Sequence, residues 1–141
     1  VMVRVLPARA LQTLLDAVKM DTLSESLDTD MVLALPAGGR SRDIDMAAYV
    51  AAYRACGRRA DRETQIALIN HIGKTLDRLT RMPLIRMSLR IMEGPARLAG
   101  LAALHSFLQR GFYAFSAMDG AEEFLATVTA RETALMRQWF A

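Results

Sequence analysis

The chain has 141 residues, 52% hydrophobic and 23% charged, which is long enough for one domain with a real core and too apolar for a disordered tail. Its net charge of +3 rests almost wholly on arginine, since Lys19 and Lys74 are the only lysines, and is too small to announce a nucleic-acid-binding chain. A single cysteine, Cys56, excludes an internal disulfide and any cysteine-based metal framework.

No apolar run approaches the length needed to cross a bilayer, and no signal-peptide architecture is present, so the cytoplasm is the default location and no membrane is expected. Strand formers are sparse beside Ala, Leu and Met, and the apolar spacing is helical throughout. Nine methionines and only 6% aromatic residues suggest a soft, adaptable core.

The chain opens on Val1-Met2-Val3-Arg4-Val5-Leu6 with no initiator methionine, which reads as the tail of an apolar element continuing upstream. Pro7 suits a first helical turn, and Leu11, Leu14, Leu15 and Val18 then repeat at helical spacing. Thr22-Leu23-Ser24-Glu25 has the capping-box pattern of a second helix, with Leu23, Leu27, Met31 and Leu35 on its buried side. Pro36 to Ser41, containing Gly38-Gly39, is the one clear loop, and it lacks the lysine ending of a phosphate loop. Asp43 or Asp45 can cap a third helix that runs to Cys56 and closes at Gly57.

Asp61 is the expected cap of a fourth helix, with Ile69, Ile72, Leu76 and Leu79 on one seam. Pro83 opens a fifth, carrying Leu84, Met87 and Ile91, and Gly94-Pro95 is expected to separate it from the sixth. Asp119-Gly120 ends the sixth, and a seventh runs from about Ala121 to Trp139. In the sixth, Leu98, Leu101, His105, Leu108, Phe112 and Phe115 share one face, and small residues including Gly100 and Gly111 share another. A helix apolar on two sides is normally surrounded, and Gly111 costs about 1 kcal/mol against alanine unless another backbone approaches there. The expectation is therefore an all-α, compact bundle of six or seven helices, with a central buried helix near residues 95–118.

His105, inside that apolar seam, is a metal or haem ligand, a proton-transfer group, or more plainly a neutral core histidine with one partner. Glu132 falls inside the apolar face of the last helix and, if buried, needs a partner such as His105 or Arg97. These three are the candidate ligand-binding set. Arg54, Arg58, Arg59 and Arg62, with Tyr49 and Tyr53, form a candidate anion-binding cluster, but interleaved Asp61 and Glu63 favour a salt-bridged face. Cys56 reads as a small buried hydrophobe. No catalytic residue, metal site or cofactor follows from any motif.

The segments Val3-Arg-Val-Leu-Pro-Ala-Arg-Ala-Leu11, Ala52-Tyr-Arg-Ala-Cys-Gly-Arg-Arg-Ala-Asp-Arg-Glu63, Gly94-Pro-Ala-Arg-Leu-Ala-Gly-Leu101 and Glu123-Phe-Leu-Ala126 resemble an uncharacterised bacterial family named for its FFLEELY motif. The resemblance spans essentially the whole chain. The naming motif is not in it and in that family lies upstream, so the resemblance implies a single helical domain, residues 1–141, from the C-terminal part of a longer protein. It implies no activity and no site residues. The surplus of apolar helix faces then points to a non-catalytic module that binds another protein, itself as a homodimer, or its own upstream segment. A core pocket at His105 and Glu132 for a small molecule, and an arginine site for an anion or nucleic acid, are the alternatives.

Overall fold

The computed structural model describes residues 8–36 and 44–141; Pro7, Asp43 and the Gly38-Gly39 loop lie outside the described residues. Among the described residues the chain forms seven α-helices and no strand: α1 (Ala8–Ala34), α2 (Met46–Cys56), α3 (Arg59–Thr80), α4 (Pro83–Ile91), α5 (Glu93–Leu98), α6 (Ala102–Ala117) and α7 (Glu122–Phe140). The all-α expectation and the helix number hold, but two boundaries differ and compensate.

The first difference is that α1 runs without a break through Thr22-Leu-Ser-Glu25. The segment contains no glycine or proline to stop a helix, and Ser24 within it and Ser26 just after it accept tertiary hydrogen bonds. Ser24 Oγ accepts from Gln65 Nε2 at 2.9 Å, and Ser26 Oγ accepts from Arg58 Nη1 at 2.8 Å. The second difference is at Gly94-Pro95, which sits in the first turn of α5, where proline's missing N–H leaves nothing unbonded. The chain breaks after Leu98 instead. Gly100 takes φ +75°, its N–H bonds the Arg97 carbonyl at 3.2 Å, and the Leu101 N–H bonds the Ala96 carbonyl at 2.8 Å. This pair of bonds is a Schellman motif, in which glycine accepts the left-handed conformation without a Cβ penalty.

The start of α3 also differs: the helix begins at Arg59, so Asp61 lies in its first turn and accepts from Arg58 Nε at 2.8 Å instead of capping it. The remaining punctuation is as expected. The Asp45 carboxylate accepts from the Ala48 N–H at 2.8 Å at the start of α2, and Gly57 ends that helix at φ +61°. Pro83 stands at the start of α4. Asp119 and Gly120, both at positive φ, end the run of α6.

By contact the chain divides into two compact units. The first comprises residues up to Leu15 together with His71–Leu125; its buried apolar residues include Ile72, Leu79, Phe112, Ala121 and Leu125. Two local features organise it. Asp77 Oδ1 accepts from the Ala121 N–H at 3.2 Å, tying the end of α3 to the start of α7. Gly73 receives the Leu125 side chain so closely that a Cβ there would lie 2.3 Å from Leu125 Cδ2. The close approach expected at Gly111 is thus found at Gly73, and Gly111 faces open space.

The central buried helix expected near residues 95–118 is not present. In α6 only His105 and Phe112 are buried, while Leu104, Phe107 and Leu108 are exposed. Leu98 is 93% exposed. The apolar seam at the start of α1 is also turned outward: Leu11, Leu14, Leu15 and Val18 are exposed, while Ala10, Thr13 and Asp16 are buried.

The second unit comprises Asp16–Asn70 and Ala126–Ala141. Its core gathers Met31, Ala52, Tyr53 and Met136, flanked by Tyr49, Cys56, Ile66, Trp139 and Phe140. Leu27 and Met31 are buried and Leu23 and Leu35 half-buried, so the seam read on the second half of α1 stands. Trp139 packs edge-on against Tyr49 and Tyr53, with centroids 5.6 and 5.0 Å away, a geometry that aligns ring edges with ring faces. Cys56 is half-buried, 4.0 Å from Met31 Sδ, in the role of a small hydrophobe.

Candidate functional site

His105 is buried in the first unit, with Nε2 2.7 Å from the Leu89 carbonyl oxygen. A carbonyl only accepts, so Nε2 carries the proton and donates it. Leu89 lies in the last turn of α4, where carbonyls lack an intrahelical partner. His105 therefore ties α6 to the open end of α4, a structural task for a core histidine. Glu132 belongs to the second unit and is exposed on α7, so the burial that called for a partner does not exist. Arg97 pairs with Glu93 at 3.0 Å, one turn away on α5. Each member of the expected ligand-binding set thus has its own setting. Among the described residues, no three His, Cys, Asp or Glu side chains gather as a metal-binding group.

Three of the four clustered arginines are already engaged. Arg58 donates to Asp61 at 2.8 Å, to Asp30 at 2.9 Å and to Ser26, joining the start of α3 to α1. Those hydrogen bonds, first to Asp61 and then to Asp30, raise its pKa above the ordinary guanidinium value. Arg59 pairs with Glu63 at 3.2 Å, and Arg54 donates to the Trp139 carbonyl.

Arg62 differs. Its guanidinium lies over the Tyr53 ring, 4.7 Å from the centroid, and it donates to Gln65 Oε1 at 3.3 Å. It borders a pocket of about 260 Å³ whose walls also include Tyr49, Tyr53, Glu132, Leu135 and Trp139. Burial raises the Tyr53 pKa above its ordinary value, Arg62 partly opposes the shift, and Tyr49 and Glu132 reinforce it. Glu132 and Arg62, assigned by sequence reasoning to different sets, are here part of one pocket. The turn count along α7 put Glu132 on the face of Met136 and Trp139, but the partner helix was beyond any local pattern.

The first unit offers a second concave surface. A groove of about 540 Å³ is bordered by Thr80, Arg81, Met82, Pro83, Arg86, Met87 and Arg90. Along α4, Leu84, Met87 and Ile91 are exposed at a spacing of three and four residues, the stripe an amphipathic helix normally buries. Residues 80–92 contain three arginines and no acidic residue. Arg81 meets Asp77 at 3.4 Å and Arg86 lies 5.9 Å from the Phe112 centroid; among the described residues Arg90 has no ion-pair partner. The spacing of Leu84, Met87 and Ile91 was legible in sequence, but their exposure was not.

What fold and sites define is an all-α domain with an arginine-bordered groove and an exposed apolar stripe on one unit and an aromatic pocket on the other. Across residues 1–141 the chain matches the family described as a domain of unknown function (DUF8198), and it belongs to that family. No curated protein and no solved structure matches it. Among the described residues, no helix is long and apolar enough to cross a membrane.

Proposed function

We propose that this domain is a non-catalytic helical docking module whose exposed α4 stripe, beside the arginine-bordered groove, receives an amphipathic helix of another protein, one with acidic residues beside its apolar stripe. The observation that carries this reading is the exposed Leu84–Met87–Ile91 stripe flanked by Arg86 and Arg90. An apolar stripe supplies area to remove from water, at about 25 cal/mol per Å². The guanidinium groups select for acidic flanks and steer encounter. Helix-in-groove recognition uses anchors at the spacing of such a stripe. A bacterial origin, as in the FFLEELY-type family that the chain resembles, and a cytoplasmic location are part of the same proposal.

The test uses fluorescence anisotropy with two labelled model helices sharing one leucine stripe, flanked in one by glutamate and in the other by lysine. The glutamate helix is expected to bind, to weaken as salt rises, and to lose at least tenfold in affinity against R86E/R90E. Equal binding of the two helices, or indifference to that charge reversal, overturns the reading. Light scattering distinguishes the remaining occupant: a stable dimer lost in L84S/M87S/I91S assigns the stripe to a second copy and displaces the separate partner.

A further inference from the structure

The pocket in the second unit presents two charged groups of opposite sign from different helices, Arg62 on α3 and Glu132 on α7. Among the described residues, no ion pair joins them to each other or to any other side chain. Neighbouring Arg58 and Arg59, by contrast, are paired with carboxylates.

Arg62 is held in orientation without being neutralised. Its plane rests over Tyr53, and one N–H is given to Gln65, itself fixed by donation to Ser24. A guanidinium carries five N–H donors in a rigid fork, so most of its fork remains available to a carboxylate. Glu132 offers only acceptors, the complement of an ammonium group. Tyr49 and Trp139 make the wall aromatic, a composition that suits the same ammonium, and Leu135 adds apolar wall. The volume of about 260 Å³ falls below the roughly 300 Å³ at which drug-sized sites begin, and suits a ligand of a dozen or fewer heavy atoms.

We infer that this pocket binds a free α-amino acid with an apolar side chain, its carboxylate on Arg62, its ammonium on Glu132 and its side chain against Leu135 and Trp139. Binding of this kind is independent of the α4 groove, which belongs to the other unit.

Trp139 is the only tryptophan in the chain and lines the pocket, so its emission and its indole N–H resonance report occupancy directly. The probes are L-leucine, N-acetyl-L-leucine, which lacks the ammonium, and L-leucinamide, which lacks the carboxylate. Leucine is expected to give a saturable change with Kd in the millimolar range or tighter, and each blocked analogue to bind at least about tenfold more weakly. In R62Q the preference for leucine over leucinamide is expected to vanish while the preference over N-acetyl-leucine persists, and E132Q should behave in the opposite sense. The analogue series on the unsubstituted protein needs no variant to fold. If N-acetyl-leucine matches leucine, the pocket is an anion site and the inference fails. If leucinamide matches leucine, it is a cation cage and the inference fails likewise. No saturable change in either Trp139 signal up to about 10 mM leucine also overturns it.

Discussion

At the residue scale, the most consequential side chain is Tyr53, which is buried, stacked by Arg62 and edge-packed on Trp139. Burial favours its neutral form and raises its pKa above the ordinary value of 10.0. The sign of the stability effect follows from linkage. Below the unfolded-state pKa of about 10 the phenol is protonated in both states, and its contribution is fully present. As pH rises past that value the unfolded chain releases the proton first, so stability is lost progressively towards the higher folded pKa. Urea midpoints taken from about pH 8 to about pH 11 should therefore fall, and the fall should be smaller in Tyr53→Phe, which has no phenol to ionise. An equal fall in both proteins assigns the alkaline loss to other groups. His105 teaches the complementary lesson. A histidine inside an apolar seam was legible in sequence, but its partner is a backbone carbonyl at a helix end, which no side-chain pattern encodes.

At the element scale, the glycines separate what local reasoning can and cannot see. Gly111 lies within α6, where a glycine's cost suggests a close neighbour, yet nothing stands within 4 Å of where its Cβ would be. Gly73, unremarked in the sequence, is where α3 admits the side chain of Leu125. The difference predicts opposite outcomes for the same substitution. Gly111→Ala should stabilise by about 0.5–1 kcal/mol, the ordinary helix-propensity gain. Gly73→Ala earns the same gain but forces a Cβ to within 2.3 Å of Leu125 Cδ2, and Leu125 is only 4% exposed. Overpacking of this kind costs about 1–3 kcal/mol, so the net change should be destabilising. Thermal unfolding of the two variants decides it, and adding Leu125→Ala should make Gly73→Ala less harmful than it is alone. A stabilised Gly73→Ala would mean that Leu125 repacks freely. The helix boundaries follow the same logic: Gly57 and Pro83 acted where they stand, whereas α1 runs through the capping-box pattern, whose Ser24 accepts from Gln65.

At the scale of the whole molecule, periodicity made the helices legible but not which of their faces would be covered. Amphipathic helices usually bury their apolar face, but the spacing itself does not name the segment that covers it. The stripe of Leu27 and Met31 is buried; Leu11, Leu14, Leu15 and Val18, then Leu84, Met87 and Ile91, and Leu98, Leu101 and Leu108 are exposed. Burial depends on which other segment arrives, and that is a long-range fact. The candidate sites follow the same division: residue types were visible, but Arg62 and Glu132 came together only through packing. Exposure of this extent has a measurable consequence, because contiguous apolar patches bind hydrophobic dyes and partners. The folded protein should enhance the fluorescence of 8-anilinonaphthalene-1-sulfonate at neutral pH, with near-ultraviolet dichroism retained, which separates a native patch from a molten state. L84S/M87S/I91S should reduce that signal while leaving the unfolding free energy within about 0.5 kcal/mol per site, as expected for exposed positions. If the triple variant instead loses several kcal/mol, those side chains are core in solution, and the surface argument for docking falls with them.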